Sequence, residues 1–281
     1  MSDSLPKYKP FLKWAGGKNW LVKSMPSLLN GVSFNAYHEP FLGGGAIFFA
    51  IAPEKAYLSD LNEDLVDAYI GLRDYPERVI DLLTGWPVSE DEYYRIRSYS
   101  PRKSYTRAAR FIYLNRTSFN GLYRVNRSGE YNVPYGHNDS YQFDIDRIRK
   151  SSFALQSAVI EHRGFEQTLD NIAENDLVFL DPPYTVSHNK NGFIEYNKTL
   201  FSIDDQKRLK RFIDEINQRG AFYILTNAAH QVISDIFDDE YCKCFVARRN
   251  SSLGGANAVR GKTEEFIFTN IDGAEFGVCN E

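Results

Sequence analysis

A glycine turn between two strands governs what this chain can fold into. Phe41-Leu-Gly-Gly-Gly45 follows a short strand pattern beginning at Ala36 and precedes an apolar helical run from Ala46; a second strand, Ala56 to Ser59, then ends at Asp60. Strand, turn, helix and strand in this order form a βαβ unit, which commits the chain to parallel pairing with a crossover helix. Asn62 is placed to cap a further helix reaching about Arg73, with Leu65, Ala68, Tyr69 and Leu72 on one face.

The alternation of strands and helices pauses between about residues 74 and 150. There the patterns are mainly helical, as in Ser104 to Asn115, with a hairpin expected around Arg127-Ser128-Gly129-Glu130. Strand patterns resume at Val159 to His162, Leu177 to Leu180, Ala221 to Thr226, Cys242 to Val246 and Glu265 to Thr269. The expected fold is α/β: a doubly wound, Rossmann-like domain built from residues 1–73 and 151–281, interrupted by a mostly helical insert, residues 74–150, that carries the hairpin.

Charge separates the same regions. The 281 residues carry a formal net charge of −4, yet from Arg95 to Lys150 there are twelve Lys or Arg against four Asp or Glu. A solvated helix face explains part of such an excess; a basic segment in an acidic protein also suits phosphate. The longest apolar run, Ala46 to Ala52, is closed by Pro53 and is far shorter than the roughly 20 residues of a spanning helix, so no membrane association is expected. The opening residues lack an apolar signal region, which points to the cytoplasm. Three cysteines, Cys242, Cys244 and Cys279, suit neither a disulfide framework nor a four-ligand zinc site, and no metal is expected.

Three segments carry chemistry. In the glycine turn the backbone can pass close to a ligand, and Asp60, ending the next strand, stands where such folds accept hydrogen bonds from ribose hydroxyls. The competing uses are a tight turn without a ligand and a cap for the helix near Asn62. Phe11-Leu-Lys-Trp-Ala-Gly-Gly-Lys18 looks like a phosphate loop, but Asn19 follows Lys18 and the leading glycine is missing, so a nucleotide triphosphatase is not expected. A lysine beside glycines and Trp14 suits a carboxylate and the cover of an adenine or sulfonium.

The third segment, Asp181-Pro-Pro-Tyr184, directly follows the apolar strand Leu177 to Leu180. Its prolines remove backbone donors and stiffen the turn, leaving carbonyl oxygens and the Asp181 carboxylate as acceptors. Two acceptors holding an NH₂ group steer its nitrogen towards sp³ character, and Tyr184 would stack on the same base. The competing use is a rigid turn before a loop. Methylation at cytosine C5 needs a cysteine nucleophile after a proline, and none of the three cysteines follows one.

Together, Trp14-Ala-Gly-Gly-Lys18, Glu39-Pro-Phe-Leu-Gly-Gly-Gly45, Asp60, Leu114-Asn-Arg-Thr-Ser-Phe-Asn-Gly-Leu-Tyr-Arg124, Gly129-Glu-Tyr-Asn-Val-Pro-Tyr-Gly136 and Asp181-Pro-Pro-Tyr184 resemble the Dam-type DNA adenine-N6 methyltransferases, in motif order and over nearly the whole chain. The resemblance implies a Rossmann-like methyltransferase sheet, S-adenosyl-L-methionine as cofactor, adenine N6 in double-stranded DNA as target, GATC as site, and no metal. Position by position, it makes Trp14, Lys18, Asp60 and Asp181 cofactor contacts, with Phe41, Gly43 and Gly45 lining that pocket. Gly164-Phe165 is a further candidate near the cofactor adenine. Asp181, Pro182, Pro183 and Tyr184 become the catalytic turn.

For DNA the resemblance implies Lys13, Phe119, Asn120, Leu122, Arg124 and Pro134. Phe119, a tyrosine in some relatives, is expected to fill the gap left by a flipped adenine or else to lie in the insert's core. Arg124 is expected to read a guanine or else to hold a phosphate. Leu122 and Pro134 correspond to apolar contacts with the central bases, and Lys13 to the outer guanine. The alternatives are cytosine-N4 methylation, an RNA or protein-amide acceptor, and a non-catalytic DNA-binding regulator. A cognate restriction nuclease is a possible partner that the sequence leaves open.

Overall fold

The computed structural model describes residues 6–185, 201–250 and 262–277. Its strands are β1 (Tyr37–Glu39), β2 (Ala56–Asp60), β3 (Ala158–His162), β4 (Leu177–Leu180), β5 (Phe222–Ala228), β6 (Lys243–Asn250) and β7 (Lys262–Thr269). The α-helices are α1 (Met25–Leu29), α2 (Ala46–Ile51), α3 (Glu63–Asp74), α4 (Pro76–Gly85), α5 (Glu90–Ser98), α6 (Ser104–Thr117), α7 (Ile145–Leu155), α8 (Ile203–Gln218) and α9 (Gln231–Phe237). Hydrogen bonding orders the strands β3-β2-β1-β4-β5-β7-β6. The β2–β3, β1–β4 and β4–β5 pairs are parallel, whereas β7 runs antiparallel to both β5 and β6. This is the Rossmann-like, mostly parallel arrangement expected from the βαβ pattern.

The chain forms two compact units. One comprises Ser24–Phe41 and Phe165–Glu281. Every residue of β4 is buried, as a strand covered on both faces requires. Beside it α8 begins with a reciprocal cap, Ser202 accepting from the Asp205 N–H and the Asp205 carboxylate accepting from the Ser202 N–H. Its buried stripe of Leu209, Phe212, Ile213 and Ile216 packs with Val178, Leu180, Leu225 and Phe268 in one apolar cluster.

The other unit comprises Ser2–Lys23 and Leu42–Gly164. Here α2, Ala-Ile-Phe-Phe-Ala-Ile, is buried on every side. Asn62 caps α3 as expected, its side chain accepting from the Leu65 N–H, and Leu65, Ala68, Tyr69 and Leu72 are buried. Residues 74–150 lie wholly within this unit, where α6 packs on α3 and α4. The hairpin is a minimal one. A single antiparallel bridge joins Val125 to Tyr131, and the Asn126 side chain accepts from the N–H groups of Ser128 and Glu130, so a side chain closes the turn that a longer ladder would otherwise hold.

Much of the insert's basic excess is spoken for. Arg107 pairs with Asp67, Arg149 with Glu77, Arg95 with Glu92, Arg147 with Asp144 and Lys150 with Asp146. Arg110 donates to the carbonyls of Ile96 and Arg97. Arg102, Lys103, Arg124 and Arg127 are exposed.

Candidate active site and nucleic-acid interface

In the unit that holds the glycine turn, Asp60 organises the backbone around it. One carboxylate oxygen accepts from the Gly43 N–H at 2.9 Å and the other from the Asn62 N–H at 2.9 Å. The carboxyl is pushed up from its ordinary value by burial, while the N–H groups of Gly43, Asn62 and Leu61, and nearby His162, pull it back. Asp60 thus fastens the turn directly, while the side-chain cap of α3 is Asn62 and not Asp60.

The glycines are needed for a reason the sequence did not disclose. A Cβ on Gly43 would stand 2.9 Å from the Trp14 ring and one on Gly44 2.8 Å from the Trp14 Cβ. Both values are below any tolerable contact, so the turn is glycine-rich because Trp14 lies against it. Gly43 and Gly45 also have φ of +46° and +64°, and Gly45 is the N-terminal flanking residue of α2. The Tyr69 hydroxyl donates to the Gly43 carbonyl at 3.1 Å. Trp14 stacks on Tyr123, with centroids 5.7 Å apart, and on Phe111 at 6.3 Å. Lys18 is buried, its ammonium donating to the Gly16 carbonyl at 3.0 Å.

Beside this turn the same unit carries the residues expected on DNA. Asn115, buried in α6, accepts from the Lys13 N–H at 2.9 Å and donates to the Lys13 carbonyl at 2.7 Å and the Gly121 carbonyl at 3.3 Å. One amide therefore clamps the segment before Trp14 to the loop after α6. Gly121, at φ +65°, admits Lys13 so closely that a Cβ would stand 2.5 Å from its side chain. Phe119 is 51% exposed, and its N–H donates to the carbonyl of exposed Pro134 at 2.9 Å. Asn120 adopts φ +56°, and Leu122 is half-buried, its carbonyl accepting from Tyr131 at 2.8 Å. Arg124 is exposed, with Nε donating to Asn132 Oδ1 at 2.7 Å and Nη2 to the Asn132 carbonyl at 3.3 Å.

In the other unit, β4 delivers Asp181 at its carboxyl end. Thr226, on the adjacent β5, donates to one Asp181 carboxylate oxygen at 2.8 Å. Pro182 is buried and Pro183 exposed; Tyr184 is half-buried, its hydroxyl donating to Glu265 Oε2 at 2.5 Å. The turn is fastened a third time at Thr185, which donates to the Phe201 carbonyl and accepts from Gln206, itself accepting from Asn227. Phe41 stacks on Phe165 at 5.4 Å and meets Phe201 edge-on at 5.8 Å. Thr226, Glu265 and Gln206 belong to no short motif that marks them in advance.

Among the described residues no three His, Cys, Asp or Glu side chains are grouped to hold a metal ion, and no helix is long and apolar enough to cross a membrane. The sheet is Rossmann-like, with an acidic β2 end beside a glycine turn in one unit and an Asp-Pro-Pro-Tyr turn at the end of β4 in the other. Comparison with known proteins is specific. Residues 14–250 match the D12 class N6 adenine-specific DNA methyltransferase family, and the chain belongs to that family.

Relatives match nearly end to end. The chain is 35% identical to the Type II methyltransferase M1.LlaDCHI of Lactococcus lactis subsp. cremoris, over 93% of this chain and 95% of the relative. It is 34% identical to the Type II methyltransferase M.MjaIII of Methanocaldococcus jannaschii, over 92% and 98%. It is 28% identical to a DNA adenine methylase of Haemophilus influenzae, over 93% and 94%.

Proposed function

We propose that this adenine-N6 DNA methyltransferase uses S-adenosyl-L-methionine and acts on a flipped-out adenine in duplex DNA, within GATC. The observation that carries the reading is Asp181 at the end of β4, with one oxygen fixed by Thr226 and a proline-stiffened turn leading to Tyr184. Asp181 and a backbone carbonyl of the turn accept from the adenine NH₂, which concentrates the nitrogen lone pair for in-line attack, while Tyr184 stacks on the base. When bound, the cofactor would supply a methyl group from a sulfonium sulfur, which keeps the electron pair of the broken S–C bond as a neutral thioether, while N6 gains the N–C bond and gives up one proton to solvent. Residues 74–150 serve as the target-recognition insert of a catalytic domain formed by residues 1–73 and 151–281.

The residues present suit that cofactor. The Asp60 carboxylate, with about four lone-pair sites, accepts from the Gly43, Asn62 and Leu61 N–H groups and keeps acceptor capacity for a ribose hydroxyl. Trp14 offers an aromatic face, and Lys18 a cation for a carboxylate. Phe41, Gly43, Gly45 and Asp181 complete the proposed cofactor set.

Asp60 also gives cofactor affinity a defined pH dependence. Hydroxyl donors favour the ionised carboxylate, so binding lowers a pKa that burial has raised and releases a proton. Affinity for S-adenosylhomocysteine should climb with pH up to the raised pKa of the free protein and be flat above it. Asp60→Asn should flatten the climb, and both Asp60→Ala and Lys18→Ala should weaken this ligand more than DNA. Titration calorimetry checks each; affinities unchanged in both alanine variants would remove the assigned pocket.

Exposure of Phe119 supports its insertion beside the target, where an apolar wedge fills the space a flipped base vacates. With 2-aminopurine at the target position, Phe119→Ala should reduce the fluorescence gain on binding. An unchanged gain in the folded variant would remove that role. The proposed site itself is tested by sequencing DNA from cells expressing the protein: methylation at GATC supports the reading, and a different methylated motif overturns the sequence assignment.

A further inference from the structure

Behind the Asp-Pro-Pro-Tyr turn lies a layer of polar side chains at a depth where polar groups are rare. Glu265 on β7, Thr226 and Asn227 on β5, and Gln206 on α8 are all fully buried. Taking a carboxylate out of water is unfavourable unless hydrogen bonds offset it, so Glu265 is not there for packing. Its register is fixed on both sides, opposite Ala228 of β5 and Ala247 of β6, two small residues that leave a full-length side chain room. From that position it accepts from the Tyr184 hydroxyl at 2.5 Å.

Tyr184 needs such a partner. The prolines before it fix where its ring begins, but rotation about the side-chain bonds would still let the plane tilt. A hydrogen bond at the far end of the ring removes that freedom, and a carboxylate acceptor makes the bond a strong one. We infer that Glu265 is a positioning residue for methyl transfer: by holding the Tyr184 hydroxyl, it sets the plane of the ring on which the target adenine stacks. Thr226 does the corresponding work for Asp181, so the two side chains of the turn assigned to the adenine are held from neighbouring strands, β5 and β7. This rests on the reading of Tyr184 as the stacking platform. A stacking ring that tilts carries the amino group away from its acceptors, and misplacements of this size cost rate more than binding.

The test is single-turnover methyl transfer by the full-length protein on duplex DNA, with S-adenosylhomocysteine affinity and melting temperature measured alongside. Glu265→Leu and Tyr184→Phe should each slow transfer ~10-fold or more, and the double variant should be no slower than the worse single, because both remove the same bond. Cofactor affinity should hold in all three. Glu265→Gln keeps an acceptor at the same reach and should recover most of the rate, which a generally weakened fold would not.

Should Glu265→Leu not fold, Tyr184→Phe decides, since it deletes the bond without touching β7. Rates within about twofold of wild type for folded Glu265→Leu or Tyr184→Phe, or losses that multiply in the double variant, overturn the inference. Tyr184→Ala separates the two readings. If it too leaves transfer intact, the stacking role has failed; if it alone is slow, only the role of Glu265 has.

Discussion

Asp181→Ala is expected to slow methyl transfer on the order of 10²-fold or more at saturating DNA and cofactor, because an acceptor aimed at the reacting nitrogen acts mainly in the transition state. The loss should appear in the rate and not in the fold. Asp181 is half-buried at a strand end, and Thr226, its partner, also lies 3.4 Å from the Leu180 carbonyl, so the hydroxyl keeps an acceptor when the carboxylate is removed. A purified, folded Asp181→Ala protein retaining more than a few per cent of the wild-type single-turnover rate would refute the proposed role.

Arg124→Ala should have the second largest effect, on sequence choice. The guanidinium is exposed, but Asn132 takes hydrogen bonds from Nε and Nη2, which orients the fork while other N–H groups remain to be directed at a base. An arginine bonding guanine O6 and N7 together discriminates by about 1–3 kcal/mol, so the variant should lose roughly 5- to 150-fold of its preference at one guanine. Catalysis on saturating cognate DNA should change much less. Competition between cognate and singly substituted duplexes at several salt concentrations measures this. Equal weakening on all sequences with a shallower salt slope would make Arg124 a phosphate contact.

The strands, α3 with its Asn62 cap and the Asp-Pro-Pro-Tyr turn after β4 were legible because each is encoded locally: period-2 and period-3.6 patterns, a capping residue, and two prolines after an apolar strand. Glu265 and Thr226 were not. Their importance comes from pairing across the sheet, and Glu265 meets a residue 81 positions away on a strand whose antiparallel placement between β5 and β6 no local pattern states. Asn115 stood inside a recognisable motif, yet its work as a clamp on Lys13 and Gly121 depends on packing that only the folded chain provides. The glycines were read as a close approach to a ligand, and the neighbour they admit in this structure is Trp14. The basic excess of the insert overstated its free charge, because several partners, Asp67, Glu77 and Glu92 among them, lie outside the segment over which it was counted.

The most direct test of the proposed reaction is nucleoside analysis of duplex DNA incubated with the purified protein and S-adenosylmethionine carrying an isotopically labelled methyl group. Mass spectrometry of the digested DNA should find the label in N6-methyladenine, and the signal should vanish with Asp181→Ala. Label in N4-methylcytosine instead, or none in DNA from a folded protein that binds both ligands, would contradict it.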